Sequence, residues 1–243
     1  MAIELPQPVV DFLNLIGVDF PQINEDAVRA FGAHVKEFAQ NVQSTHSAAT
    51  GTVQQLGSAY QGASYELLVS RWTEMSSSHM TELVDVCNGL ATAMDVAADF
   101  IVGKKIEAIA QFAVMAAEFV ADQAASIVTL GLAEAAEVAI VAAARELSDF
   151  LEQELEQYLI GEVLQKALPP LMEVVQKAVG GLVYSAVADA LGEGGGAARV
   201  GPMFSVDPDQ LSSQANVFDQ HAAEIEGHAQ TLSSNLKSLN FNS

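Results

Sequence analysis

Between Pro21 and Pro169 the chain runs 147 residues without a proline. Proline stops helices and punctuates turns, so a gap of this length favours long uninterrupted helices over strands and turns. Alanine, the strongest helix former, fills much of the gap. Of 39 alanines among 243 residues, 19 lie between Ala91 and Arg145. The expectation is an all-α protein.

Hydrophobic periodicity places the helices. Asn24 reads as an N-cap, with Glu25 and Asp26 complementing the helix dipole and Ile23 and Val28 positioned as a hydrophobic staple. Val28, Phe31, Val35, Phe38, Val42, Thr45, Ala49, Thr52 and Leu56 then alternate at spacings of three and four. Such a seam belongs to a long helix packed nearly parallel or antiparallel to another. Tyr60-Gln61-Gly62 marks a turn. A second helix from about Ala63 carries Tyr65, Leu68, Trp72, Met75 and His79 on one face, continued by Leu83, Cys87, Leu90, Met94, Ala97 and Ile101. Two seams joined by a short connection predict an antiparallel helical hairpin.

Downstream, Ile101 to Arg145 is apolar nearly all round, the pattern of buried core helices, with a break expected at Gly131. Glu146, Asp149, Glu152, Glu154 and Glu156 predict a return to solvent, and Pro169-Pro170 a stop or kink. A further helix is expected from Leu171 to about Leu191, then a glycine-rich linker at Gly192–Gly196. Asp207-Pro208-Asp209-Gln210 forms a capping box with proline at the first helical position. After it, Leu211, Ala215, Phe218, Ala222, Ile225, Ala229, Leu232, Leu236 and Leu239 follow a strict four-three alternation. A stripe this narrow requires a partner, in cis or in trans.

Charge excludes one class of function. With 31 acidic residues against 10 basic ones the net charge is −21, and both nucleic-acid phosphates and anionic membrane surfaces repel such a chain. Cys87 is the only cysteine, which precludes an intramolecular disulfide and a thiolate metal cage. The first residues lack the basic and apolar regions of a signal peptide. The longest charge-free stretches of the apolar middle, Gln123–Ala133 and Ala178–Ala188, are eleven residues each, short of the roughly 18 that a membrane span wants.

No constellation points to catalysis, a cofactor or a metal. Among His34, His46, His79, His221 and His228 no pair has the i, i+4 spacing of a zinc helix, and His221 and His228 read as surface residues beside the seam. Cys87 falls at a core position, where a thiol is inert. The acids after Arg145 lack the glycine and oxygen spacing of a calcium loop. Gly192-Glu193-Gly194-Gly195-Gly196-Ala197 spells a dinucleotide fingerprint but follows a helix instead of a strand.

The turn at Tyr60-Gln61-Gly62, with Tyr where the motif has Trp, resembles the aromatic-x-Gly turn of the WxG substrates of ESX, or type VII, secretion. Trp72 follows on the second helix. A longer likeness joins Leu5-Pro6, Val18-Asp19-Phe20-Pro21, the hairpin, Gly103-Lys104-Lys105-Ile106, Gly131-Leu132-Ala133-Glu134-Ala135-Ala136 and Arg145. Over about Met1 to Gly196 the chain resembles the CpnT-like N-terminal trafficking domain of actinobacterial polymorphic toxins. The resemblance implies an elongated all-α bundle of long helices, built on an antiparallel WxG-like hairpin and closed by a long C-terminal helix. Residues 1–191 would be the trafficking domain, 192–206 a linker and 207–243 a heptad helix.

It further implies a non-catalytic substrate or adaptor that moves from the cytoplasm to the cell surface or medium and directs a toxin or associated cargo. Its partners would be a small WxG-family protein, the secretion ATPase, or both. No payload follows Ser243, so the resemblance implies a lost cargo or a stand-alone partner of another secreted protein. Tyr158-Leu-Ile-Gly-Glu162 matches the Tyr-x-x-x-Asp/Glu export signal of such substrates. Leu211, Phe218, Ile225, Leu232, Leu236 and Leu239 would form the partner-binding stripe. Two other readings follow from the residues themselves: a membrane-active pore former using the apolar helices, or a homo-oligomeric scaffold joined through the stripe.

Overall fold

The computed structural model describes residues 3–74, 76, 80–129, 132–165, 168–174, 205–206 and 208–241. They are almost entirely helical: α1 (Gln7–Ile16), α2 (Glu25–Ala59), α3 (Ala63–Glu74), α4 (Thr81–Thr129), α5 (Leu132–Glu156) and α6 (Pro208–Ser238). A π-helical turn, Gln157–Leu164, extends α5, and residues 168–174 are helical. Pro169 and Pro170 lie inside that short segment. The only strands among the described residues are two-residue ones, β1 (Tyr60–Gln61) and β2 (Ser205–Val206), paired antiparallel. The chain divides into two compact units.

One unit comprises residues 1–30, 93–166 and 239–243. Helix α1 is absent from the sequence expectation because its first turn holds a proline and its apolar run is short. Its Val9, Phe12, Leu13 and Ile16 are nevertheless spaced as one helical face, and all four are buried. Gly17 ends it in the left-handed conformation, φ 65°, ψ 43°, where a side chain would be strained. Phe12 packs on Phe119 of α4 and Phe20 on Phe112, with ring centroids 5.5 and 6.0 Å apart. Arg145 and Ser148 of α5 donate to the carbonyls of Ile16 and Asp19. At the start of α2, Asn24 Oδ1 accepts from the amides of Asp26 and Ala27, the N-cap that the sequence predicts.

Among the described residues three ion pairs join separate elements of this unit, the outermost between Arg29 and Asp99 at 2.6 Å. Lys104 Nζ reaches Glu154 Oε1 at 2.8 Å. Deeper, Lys105 Nζ lies 2.8 Å from Glu25 Oε2 and also donates to the Ile23 carbonyl, with both side chains almost fully buried. Glu25 Oε1 accepts from the Ile3 amide. Burial pushes the Glu25 carboxyl up, but Lys105 and the amide donors outweigh it and hold the group below its ordinary value.

The expectation of helices buried all round is corrected here. On α4 the buried line is Ile101, Lys105, Ala108, Phe112, Ala116 and Phe119, while Ile106, Val114 and Val120 are more than half exposed. Val138 and Phe150 of α5 are exposed as well. Apolar composition raises hydropathy around the whole circumference, but a helix packed against neighbours on one side buries one stripe only. Thr81–Gln123 is long and apolar enough to cross a membrane by length and composition, with 39% of its most apolar window buried. Glu146, Asp149, Glu152 and Glu156 do face outward, while Glu154 is half-buried against Lys104, and Ala144, Ser148, Leu151 and Leu155 keep the helix docked. The break expected at Gly131 lies outside the described residues.

The second unit comprises residues 31–92 and 167–238 and holds the antiparallel hairpin of α2 with α3 and the first turns of α4, together with α6. Every seam residue of α2 from Phe31 to Ala49 is buried, but near the end Val53 takes the place expected of Thr52. Leu56, the next seam position, is buried on schedule, so the seam holds and only the intervening turn buries the residue four after Ala49 instead of three. Leu83, Cys87 and Leu90 are buried as expected. Desolvation pushes the Cys87 thiol up to about 12, which leaves it protonated and inert. Met75, His79, Gly192–Gly196 and most of the expected helix from Leu171 lie outside the described residues.

Replacing Lys105 by Met leaves the Glu25 carboxylate buried without its counter-charge and is expected to cost about 3–5 kcal/mol at pH 7. The double change Lys105→Met, Glu25→Gln recovers most of it. Glu25 titrates below its unfolded value, so the wild-type pair contributes fully above about pH 4.5 and fades as pH falls further. Urea denaturation of the three chains at pH 7 and pH 4 checks both points: the deficit of the single variant narrows at the lower pH.

Candidate functional site: a polar clasp in the hairpin and the helix that covers it

The hairpin is closed by a reciprocal pair of hydrogen-bond chains. The indole Nε1–H of Trp72 donates to Thr50 Oγ1 at 2.9 Å, and Thr50 in turn donates to the His46 carbonyl at 2.9 Å. In the other direction His46 Nε2 is 2.7 Å from Ser76 Oγ, which donates to the Trp72 carbonyl at 2.7 Å. Each ring nitrogen thus meets a hydroxyl whose proton goes to the backbone of the opposite partner. The two rings stack, centroids 4.7 Å apart and 11° from parallel. Trp72 buries a large apolar face without orphaning its N–H, which is the condition for an indole inside a core. Ala49 and Val53 pack around it, with Val69 at the edge.

The turn positions this clasp. Gly62, with a φ of 158°, opens α3, and its carbonyl accepts from the amides of Tyr65 and Glu66. Tyr60 is half-buried and pairs through its backbone with Val206. Tyr65 reaches back to the Val53 carbonyl at 3.3 Å, passing over Gly57. A Cβ at Gly57 would meet the Tyr65 hydroxyl oxygen at 2.5 Å, so the absent side chain makes room for the ring.

Helix α6 lies over the clasp. Phe218 meets Trp72 edge-on with centroids 5.7 Å apart, and Ile225 is buried. His221 sits 5.9 Å from Trp72 and 6.1 Å from His46. Further along, Thr45 and His228 share a hydrogen bond of 2.9 Å, and Asn235 Nδ2 lies 3.3 Å from His34 Nδ1. The sequence expectation for His221 is corrected: it is 6% exposed, and Ala222, placed in the seam by the strict alternation, faces solvent. Phe218 and Ile225 hold their seven-residue spacing, but the turn between them buries the residue three after Phe218 instead of four; both positions lie on the same side of a helix, and the packing partner selects one.

Two polar atoms in this cluster have no partner. His46 Nδ1 and His221 Nε2 are both buried and unbonded. Burial pushes His46 down to about 4, with His221 adding to the effect, and burial likewise lowers His221 while Glu224 opposes it. No group of three His, Cys, Asp or Glu residues suited to a metal exists among the described residues. A cleft beside His34, Phe38, His228 and Leu232 has a volume of about 10 Å³, room for one water at most.

The other residues singled out by the sequence fall elsewhere. Tyr158 lies in the first unit, on the π-helical turn, stacked on Phe100 at 3.9 Å with Lys104 5.7 Å from the Phe100 ring. Glu162 shares that turn; its side chain, like that of Leu211, lies outside the described residues. Leu232, Leu236 and Leu239 are half-buried. Sequence reasoning missed His46, Thr50 and Ser76. The one available signal was that a single Trp, with an N–H to satisfy, faces a neighbouring helix rich in Thr and His at 45, 46, 50 and 52.

Gly57→Ala forces the Tyr65 ring off its carbonyl and is expected to destabilise the hairpin by about 1–3 kcal/mol, less the helix propensity that Ala gains. In a Tyr65→Ala background the clash disappears. There the same substitution becomes neutral or stabilising by up to about 1 kcal/mol. Thermal denaturation of the four chains measures this reversal of sign.

The comparisons with known proteins agree with the geometry. A family model described as WXG100 like domain matches residues 4–147, which include α1, the hairpin and the first half of α5. No curated protein and no solved structure matches. More than half of the chain, including the paired helices around Trp72, therefore places it in a family: the protein belongs to the WXG100-like family.

Proposed function

We propose that the chain is a non-catalytic substrate or adaptor of a type VII (ESX) secretion system, which binds helical partners and directs export of a toxin or associated cargo. The observation that carries the reading is the family match over residues 4–147, on a molecule built from long helices packed through narrow apolar stripes. Membership in this family sets the chain in a context of helical-protein interaction and secretion. The CpnT-like trafficking role is the finer form of the proposal, supported by the Gly103–Ile106 and Gly131–Ala136 segments and Arg145. The partners proposed are a small WxG protein and the secretion ATPase.

Tyr158 and Glu162 are the proposed export signal. Tyr158 is half-buried against Phe100, so the secretion machinery would lift it off or read it within its helix. In a host with an intact ESX ATPase, Tyr158→Ala is expected to lower export of the full chain at least tenfold while helical circular dichroism is unchanged. Co-purification with a co-expressed small WxG protein is expected as well. Equal export of both chains removes Tyr158 from the reading. No export and no partner removes the reading itself.

A second reading, a membrane-active protein, draws on the exposed Val114, Val120 and Val138 and on the span-length segment Thr81–Gln123. Neutralising the carboxylates along these apolar helices would reduce the cost of insertion. Dye release from vesicles at pH 5, with none at pH 7.5, is the outcome this reading expects; intact vesicles at both exclude it.

A further inference from the structure

Four of the five histidines of the chain lie where α6 meets α2: His34 beside Asn235, His228 beside Thr45, and His46 beside His221. The fifth, His79, lies outside the described residues. We propose that this contact is an acid-sensitive latch, in which protonation of the His46–His221 pair releases α6 from α2 and α3 and uncovers Trp72.

The hydrogen-bond chains determine where the proton goes. Ser76 has one hydroxyl proton, and it is donated to the Trp72 carbonyl. Ser76 therefore accepts from His46 Nε2–H, so His46 Nδ1 carries the free lone pair and takes the added proton. That atom is buried with no acceptor in reach. The protonated ring would hold an unpaired charge and an unmet donor under α6, at a cost that solvation of the released state avoids. Protonating His221, 6.1 Å away, sets a second positive charge in the same dry space.

Among the described residues, the surrounding groups do little to compensate. On α3, Arg71 and Glu74 pair with each other on the exposed face. On α2, the neighbours of His46 in the clasp are the neutral Thr45 and Thr50. On α6, His228 engages Thr45, and Glu224 is the one acid whose charge favours a protonated His221.

The docked state binds fewer protons than the released one, so docking is strongest above pH 6.5 and weakens as pH falls from 6.5 towards 4. A His46 that regains its ordinary pKa on release weakens docking about 30-fold at pH 5. Trp72, the only tryptophan of the chain, reports the event directly.

The test takes the full chain from pH 7.5 to 4.5. It follows amide-exchange protection of α6 and α5, corrected for intrinsic exchange rates, and the emission of Trp72. The latch predicts at least a 10-fold selective loss of α6 protection near pH 5, a red shift of Trp72 emission, and recovery on return to pH 7.5. The double variant His46→Gln, His221→Phe keeps a donor for Ser76 and an aromatic beside Trp72 but cannot titrate; its α6 is expected to stay protected. If that variant lacks helical circular dichroism at pH 7.5, His221→Phe alone supplies the comparison, with a lower transition midpoint expected. Unchanged α6 protection in the unmodified chain overturns the proposal. Simultaneous loss in α5 and α6, or a transition that the variants leave in place, overturns it too.

Discussion

A helix with one apolar residue per turn cannot hold its shape alone in water, because packing supplies most helical stability. That constraint governs this protein. Each long helix described here presents a narrow stripe, and each finds another helix to cover it: α2 against α3 and α6, α4 against α1 and α5. The architecture follows from pairing stripes, with no extended sheet among the described residues to organise them.

Apolar stripes slide easily past one another, so polar anchors are needed to set register. In one unit the buried Lys105–Glu25 pair and the Asn24 cap do so. In the other the His46–Trp72 clasp does, since its four hydrogen bonds close in one relative placement of α2 and α3. Both anchors are costly to break and specific in geometry, which suits them to define an alignment that hydrophobic contact leaves loose. The clasp leaves two ring nitrogens unsatisfied beneath α6, so the helix that completes the core also rests on its least stable polar groups.

Much of this was legible along the chain. The proline-free stretch, the Asn24 cap, the α2 seam from Phe31 to Ala49 and the start of α6 at Pro208 are local properties, and local chemistry determines them. Three elements were not. Helix α1 was hidden behind its prolines although its four apolar residues were correctly spaced. Val53 and His221 are buried in place of Thr52 and Ala222 because residues three and four along from a seam position share one side of a helix, and periodicity does not choose between them. The exposed valines of α4 and α5 are indistinguishable from core residues along the chain, because composition does not say how many neighbours a helix has.

The candidate site shows the same division. The sequence by itself determined that the protein is helical, that α2 returns as a hairpin through Tyr60-Gln61-Gly62, and that Trp72 lies on the inner face of that return. It could not determine that the C-terminal stripe is covered in cis, because Phe218 and Ile225 would serve equally well against another chain. Nor could it pair His46 with Ser76, 30 residues away, or with His221 on another helix. Periodicity records which side of a helix is apolar; which neighbour covers that side, and at what rotation, depends on contacts that exist only once the helices are packed.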